Sequence, residues 1–379
     1  MTKQTWLSSL GKLSERDLDL CSRAYDVLLG NVYENEGYPW SPYRCLSPCK
    51  SKFKGIWNWD SAFHAMGVAN WDTQLAKESI IGFFNFQKDN GLLPDVIFED
   101  GKVVDSFTKP PVFAMAALRI YEKDQDKSFL EGIYPALSKN AAFYENNRCY
   151  NGLFHYDCDE KDIPEYETFA RFESGWDNAV RWDGGLMNMW AIDLNCFMVL
   201  FYRVMAKIAN ILGKTDDAPV WEAKETALSK LINEKFWDNE SKHYSDTDRF
   251  TEKVSSVLSP ASFMPLFVGI ASEEQAKAMG EIAVNNFCSK MPTVSFDNPA
   301  YCNDYWRGPT WLNVAYFAAK GLKDYGLSVA DDIKESILNM CFEEKRGIFE
   351  NYDSKTGEGL YCDAFSWSSV FIIEFILNF

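Results

Sequence analysis

Residues 189–212 contain almost nothing that would let a helix face water. The heart of the run, NCFMVLFYRVMAKIANIL (195–212), carries only Arg203 and Lys207 as charges. Those two cations argue for a helix buried on all sides within protein rather than a membrane span. Gly213 follows, where a left-handed residue closes a helix. Residues 218–236 behave differently. Val220, Ala223, Ala227, Leu228, Leu231 and Ile232 share one face, with Glu222, Lys224, Glu225 and Lys230 opposite. A buried helix covered by an amphipathic one is the unit of a two-layered helical fold.

The same unit recurs along the chain. Ser272 and Gln275 form a capping box that opens a helix at 273. Gly326 closes one helix, and Ser328 caps the next with Asp331 at its third position. Helices are expected to start near residues 15, 60, 73, 110, 128, 189, 218, 260, 273, 308, 328 and 364. Short connectors alternate with long ones at 31–59, 89–109, 148–188, 237–259, 289–307 and 343–363. In a closed ring of helical hairpins, alternate connectors emerge at the same end, so the long ones gather on one face. This predicts an all-α (α/α)6 barrel over residues 1–379, one domain, with short hairpins in the long loops.

Composition narrows the function. A formal charge of −17 repels polyanions, which excludes a nucleic-acid partner. The N-terminus MTKQTWLSSLGKLSERD has no apolar signal core, so a cytoplasmic protein with no membrane partner is expected. Its ten cysteines, without a CxxC pair, are then expected to be free thiols. Three histidines (His64, His155 and His243) give no zinc cluster, and no GxSxG stretch is present. No cofactor or metal is called for; the acidic loop DCDEKD (157–162) is too irregular for a calcium site. Carboxylates remain as catalysts. Thirteen Trp supply flat faces on which sugar rings stack.

The unusual motifs fall in or beside the long loops. RFESGWDNAVRWD (171–183) mixes three acids with Trp176, Trp182 and two Arg around Gly175. GIWNWDSAFHA (55–65) gathers Trp57, Trp59, Asp60 and His64, although a helix-capping Asp60 amid aromatic packing explains it equally well. QKDNGLLPD (87–95) reads as a helix-ending turn, and Lys109 in SFTKPPVFA (106–114) as a surface lysine. NDYWRGPTWLNVAY (303–316) sets Tyr305, Trp306, Arg307 and Trp311 at a helix start. GIFENYDSKTGEG (347–359) places Glu350 beside Phe349 and Tyr352. A lone Glu there is more often solvated than catalytic. Convergence changes that reading: a barrel brings Asp60, Asp177, Arg307 and Glu350 to one mouth. Glycoside hydrolysis needs two carboxyls across an aromatic pocket, one protonating the leaving oxygen and one activating water or attacking carbon. Asp177, next to Trp176, has the apolar neighbour that favours a protonated carboxyl.

ESGWDNAVRWD resembles the ESGWDxSxRW signature shared by glycoside hydrolase family 63 and the family 37 trehalases. WNWDSAFHA, DYWRGPTWLNVAY and FENYDSKTGEG…FSWSS are similar to three further family 63 motifs, in the family's order, from about residue 55 to the C-terminus. In size the chain resembles the bacterial mannosylglycerate and glucosylglycerate hydrolases of this group. The resemblance implies an inverting mechanism, with Asp177 as general acid and Glu350 as general base. It also implies that Trp59 and Asp60 line the innermost sugar subsite and that Arg307 and Trp311 lie in a substrate-contacting loop. Gln87 and the TKPP segment at 108–111 match further pocket elements. The chain departs from the pattern at Ala179, where Ser is frequent, and in DNGLLP for an NNGLLP-like turn; both bear on the aglycone.

The expectation is an exo-acting inverting α-glycosidase for a small α-glucoside or α-mannoside of the glycerate type. Its carbohydrate is held by Trp57, Trp59, Asp60, His64, Gln87, Lys109, Trp176, Arg181, Trp182, Tyr305, Trp306, Arg307, Trp311, Tyr352 and Trp367. Glu173 is expected to be structural, tied to backbone donors or to an Arg such as Arg181, unless Arg181 binds substrate itself. An anionic glycerate needs Lys109, Arg181 or Arg307 as counter-ion. The alternatives are a trehalase or α-glucosidase acting on a neutral disaccharide, a sugar epimerase using His64 and His155, and a non-catalytic sugar-binding barrel.

Overall fold

A computed structural model of the chain describes residues 1–34 and 36–379. Its helices are α1 (Lys3–Ser9), α2 (Glu15–Gly30), α3 (Asn58–Val68), α4 (Thr73–Phe84), α5 (Phe113–Asp124), α6 (Lys127–Asn147) and α7 (Tyr166–Ser174). They continue with α8 (Ile192–Leu212), α9 (Asp217–Lys235), α10 (Met264–Phe267), α11 (Glu273–Phe287), α12 (Leu312–Asp324), α13 (Val329–Glu343) and α14 (Ser366–Leu377).

Six of them form an inner layer. α3, α5, α8, α10, α12 and α14 touch in that order, and α14 returns to α3. Every residue of α3 is buried, as are most of α8, α12 and α14. The amphipathic helices lie outside: α2 on α14, α4 on α3, α6 on α5 and α8, α9 on α8, and α13 on α12. Gly213 closes α8 at φ +73°, and Lys214 N–H reaches back to the Ala209 carbonyl at 2.8 Å. The capping box at Ser272 and Gln275 is formed in both directions.

Twelve helix starts were expected, and each has a counterpart. The start near 260 opens as a 3-10 turn at Pro260–Phe263 before the single turn of α10. Pro260 and Pro265, with Gly269 at φ +67°, keep it short. Three expectations are corrected. The helices α1 and α7 were not foreseen; both are short, and α7 lies within a segment read as loop. Ser328 begins α13, but its side chain makes no capping bond; its carbonyl takes the Asp331 N–H at 3.0 Å instead. The cysteines are not all free: Cys49 and Cys362, 313 residues apart in sequence, are disulfide-bonded. They belong to two long loops that meet, which no sequence spacing reveals.

The long connectors gather at one end and pair with one another. Gly55–Trp57 pairs antiparallel with Val96–Phe98, which pairs with Val103–Val104. Met189–Trp190 pairs with Thr247–Asp248. Thr310 bridges both Pro292 and Tyr352. Among the described residues no helix is long and apolar enough to cross a membrane.

Candidate active site

Where the long loops meet there is a cavity of about 190 Å³, lined by Pro48, Phe53, Trp57, Trp59, Asp60, Asp95, Lys109, Phe172, Gly175, Asp177, Tyr305, Trp306, Trp311, Glu350, Phe365 and Trp367. That is smaller than the roughly 300–1,000 Å³ pockets that take drug-sized ligands. It suits one sugar ring. Its aromatic wall is rigid: Trp306 stacks on Trp311 at 3.8 Å between ring centres, and Trp367 stands edge-on to Trp59 at 5.3 Å. The Trp367 indole N–H is buried without a protein partner.

The loop bearing Asp177 is set by the end of α7. Gly175 caps that helix at φ +73°, and a Cβ there would fall 2.4 Å from the Trp59 ring, so only glycine fits. Upstream, buried Glu173 accepts from Arg148 Nε at 2.9 Å, Asp157 N–H at 2.6 Å and Thr108 N–H at 3.3 Å. Glu173 is thus a structural carboxylate with backbone donors and an Arg, as expected; the Arg is Arg148, not Arg181. Tyr144 donates its hydroxyl to the Lys109 carbonyl. Asn58, at the start of α3, donates its side-chain amide to the Pro94 carbonyl at 2.8 Å and to Thr108 Oγ1 at 3.2 Å. These bonds lock the segments that carry Asp95 and Lys109.

Glu350 is held from the other side. Its N–H donates to the Cys362 carbonyl at 2.8 Å, and Tyr305 donates its hydroxyl to Glu350 Oε1 at 3.0 Å. Tyr305 sits at φ +44°, an unusual conformation for a side-chain-bearing residue that aims its phenol into the pocket. Asn178 joins the Asp177 loop to the segment that carries Tyr305, accepting from Trp306 N–H and donating to Asp304, each at 2.9 Å.

Burial dominates the electrostatics. It pushes Asp177 up to about 6, with Lys109 opposing and Asp95 reinforcing. It pushes Glu350 up to about 7, against the Tyr305 hydrogen bond and the charge of Lys52. Asp60 is driven to about 8 by burial, and Asp95 is also raised. Burial disfavours the Lys109 ammonium, but Asp95, Asp177 and Asp60 outweigh it and raise its pKa. Both carboxyls of the expected pair therefore titrate near neutrality, where proton exchange is useful.

The cavity brings together Trp57, Trp59, Asp60, Lys109, Asp177, Tyr305, Trp306, Trp311, Glu350 and Trp367. The other sequence candidates lie outside its wall. Trp176 packs behind Trp306 at 5.0 Å. Trp182 is buried and bonded to Ser174, and Gln87 donates to the carbonyls of Gly91 and Ala136. Tyr352 is buried and accepts the Phe349 N–H. Arg181 is enclosed by Asp193 (2.7 Å) and Asp246 (2.6 Å), with Trp182 against its guanidinium. Arg307 makes a two-pronged pair with Asp183 at 2.8 and 2.7 Å. His64 is fully buried and held low, at about 3; His155, lowered to about 4, also lies away from the cavity. Sequence reading missed Pro48, Phe53, Asp95, Phe172 and Phe365. Asp95 carried a signal, an acid directly after the GLLP turn.

The description "Mannosylglycerate hydrolase MGH1-like glycoside hydrolase domain" matches residues 54–368. The mannosylglycerate hydrolase of Rubrobacter radiotolerans is 24% identical, covering 85% of this chain and 90% of its own length. The solved GH63 mannosylglycerate hydrolase from Thermus thermophilus, in complex with Tris and D-glycerate, has TM-score 0.79 at 23% identity, over 93% of this chain and 98% of that one. Neutral trehalase from Saccharomyces cerevisiae has TM-score 0.72 at 18% identity, over 92% and 78%. At these identities the solved structures establish a shared helical-barrel fold.

Proposed function

The chain belongs to the mannosylglycerate hydrolase MGH1-like glycoside hydrolase family, and on that premise we propose that this glycoside hydrolase is an exo-acting, inverting α-glycosidase for a small glycerate-type conjugate. Residues 1–379 form one (α/α)6-barrel catalytic domain in this reading. Asp177 protonates the departing oxygen, and Glu350 takes a proton from the attacking water. The carrying observation is that both carboxyls line one aromatic cavity sized for a single sugar ring. The Tyr305 hydroxyl on Glu350 supports the base role, because a donor stabilises the carboxylate form.

An inverting pair leaves room for water between its carboxyls, roughly 6.5–9.5 Å. Water then attacks opposite the leaving group, and an α-glycoside releases the β-sugar. Arg181 and Arg307 are each engaged by carboxylates, so neither is free for the glycerate carboxylate. Exposed Lys52, next to Phe53 and near enough for Glu350 to feel its charge, is the cation best placed at the rim.

Burial raises Asp177 and Glu350 alike, so protonation does not by itself tell the acid from the base. Leaving-group dependence separates the two. An acid variant loses general-acid help, about 10²–10⁴-fold, on a glycerate conjugate, yet keeps most of its activity on a glycosyl fluoride, which needs little protonation. Asp177→Asn should show that split and Glu350→Gln should lose both activities, with the wild type releasing the β-anomer first in proton NMR. The split appearing in Glu350→Gln instead would exchange the roles. The α-anomer appearing first would refute inversion.

A further inference from the structure

Lys109 and Asp95 stand side by side in the cavity wall, each about nine-tenths buried. Nζ lies 3.2 Å from Oδ1, which is enclosed and faces that ammonium, while the other carboxylate oxygen, Oδ2, accepts no hydrogen bond among the described residues. Nζ makes one hydrogen bond, to the Phe172 carbonyl. An ammonium has three N–H donors, so the pair retains both donor and acceptor capacity in the cavity wall. Buried polar atoms are normally matched, and a rigid, unmatched pair in a cavity is arranged for a ligand. Rigidity comes from both backbones. Asp95 is fixed by Asn58 N–H on its carbonyl at 2.9 Å and by its own N–H on Val104 at 2.8 Å. Lys109 is fixed by Tyr144 on its carbonyl and by Glu173 on the preceding N–H.

We propose that Lys109 and Asp95 act together as a clamp on two neighbouring hydroxyls of the sugar ring, Nζ donating to one oxygen and the outer carboxylate oxygen of Asp95, Oδ2, accepting from the other hydroxyl. The inference rests on the reading of this cavity as the sugar site. It assigns Lys109 to ring hydroxyls rather than to an aglycone carboxylate, and it makes Asp95 a specificity-determining residue. A vicinal diol is the chemistry that fits, because each hydroxyl both donates and accepts. Asp95 also supplies the counter-charge without which Lys109 could not remain an ammonium in the pocket. A free carboxylate ligand would face Asp60, Asp95, Asp177 and Glu350 together.

The test reads binding, so that turnover is not required. Methyl 1-thio-α-mannoside and 1-thio-α-glucoside, and their monodeoxy derivatives, are titrated by tryptophan fluorescence against the wild type and Lys109→Met/Asp95→Leu. The double variant removes both charges together and leaves neither ion buried alone. The wild type should lose roughly 10- to 100-fold in affinity on removal of either of two adjacent hydroxyls. In the double variant those two penalties should fall below about 3-fold while the other positions keep theirs. If that variant fails to fold by circular dichroism, Lys109→Gln/Asp95→Asn keeps the shape with neutral partners, and the same two penalties should still shrink. Unchanged penalties in whichever double variant folds overturn the clamp alone. A wild type that binds neither parent glycoside overturns the sugar-site reading and the clamp with it.

Discussion

Gly175 and Gly213 make a matched pair for testing whether the pocket wall is built as described. Both close helices at φ +73°. An alanine at either must hold a left-handed conformation, a cost of about 1–2 kcal/mol, partly offset by about 0.4–1 kcal/mol from a less flexible unfolded chain. At Gly213 that is the whole effect, since nothing lies within 4 Å of an added Cβ. At Gly175 the new methyl meets three Trp59 ring carbons at 2.4, 2.6 and 3.1 Å. Trp59 cannot swing away, being 2% exposed and packed against Phe63 and Trp367. Overpacking of this kind adds about 1–3 kcal/mol. Gly213→Ala should therefore cost up to about 1.6 kcal/mol and Gly175→Ala about 1–3 kcal/mol more, measured by urea unfolding with circular dichroism. The backbone contribution cancels in the difference, leaving the Trp59 contact. Gly213→Ala should keep wild-type kinetics, whereas Gly175→Ala should lose activity, because it displaces Trp59 and the loop that leads to Asp177. Equal stability costs would refute the close approach of Trp59 to this turn.

Two further predictions concern the buried carboxyl at Asp60 and the cross-link at the mouth. Burial holds Asp60 up at about 8, so the folded state keeps a proton that the unfolded state releases near pH 4. This group makes wild-type stability fall as pH rises from about 4 to 8, by at most about 1.4 kcal/mol per pH unit. Asp60→Asn lacks that dependence and should gain on the wild type steadily across the window; a constant difference between the two would sink the assignment. For the cross-link, thiol titration in denaturant should find eight free cysteines before reduction and ten after. Cys49→Ser with Cys362→Ser should lower stability by about 2–4 kcal/mol. Ten thiols before reduction would refute the bond.

The helical pairs were legible because their signal is local. An inner helix such as α8 is buried over most of its length, and an outer one such as α9 buries Ala218, Trp221, Leu228 and Ile232 on one side, although Val220, Ala223 and Ala227, expected on that face, are exposed. α7 escaped because it spans nine residues, has no side-chain cap and carries the charged RFES stretch. Yet that helix decides where Asp177 stands. Asp60, Asp177 and Glu350 were legible as candidates because each lies in a dense, unusual motif; Phe53, Phe172 and Phe365 reach the same cavity from segments without one.

Charge partners were the least legible feature. Arg181 lies eight positions from Glu173 and looked like its mate, but Asp193 and Asp246 enclose Arg181, while Arg148, at the end of α6, takes Glu173. A buried ion needs an opposite charge, and the chain order does not say which one arrives. The cavity is the sharpest case. It gathers four carboxyls, Asp60, Asp95, Asp177 and Glu350, around the single ammonium of Lys109. One cation cannot offset four anions in so small a cavity, so ionisation of each carboxyl raises the cost of the next. Burial raises all four, and a neighbouring carboxyl adds to the shift of Asp60, Asp177 and Glu350. A sequence counts acids but not how many remain charged. In the proposed mechanism, that number is what leaves one carboxyl holding a proton for a leaving group while another accepts one from water.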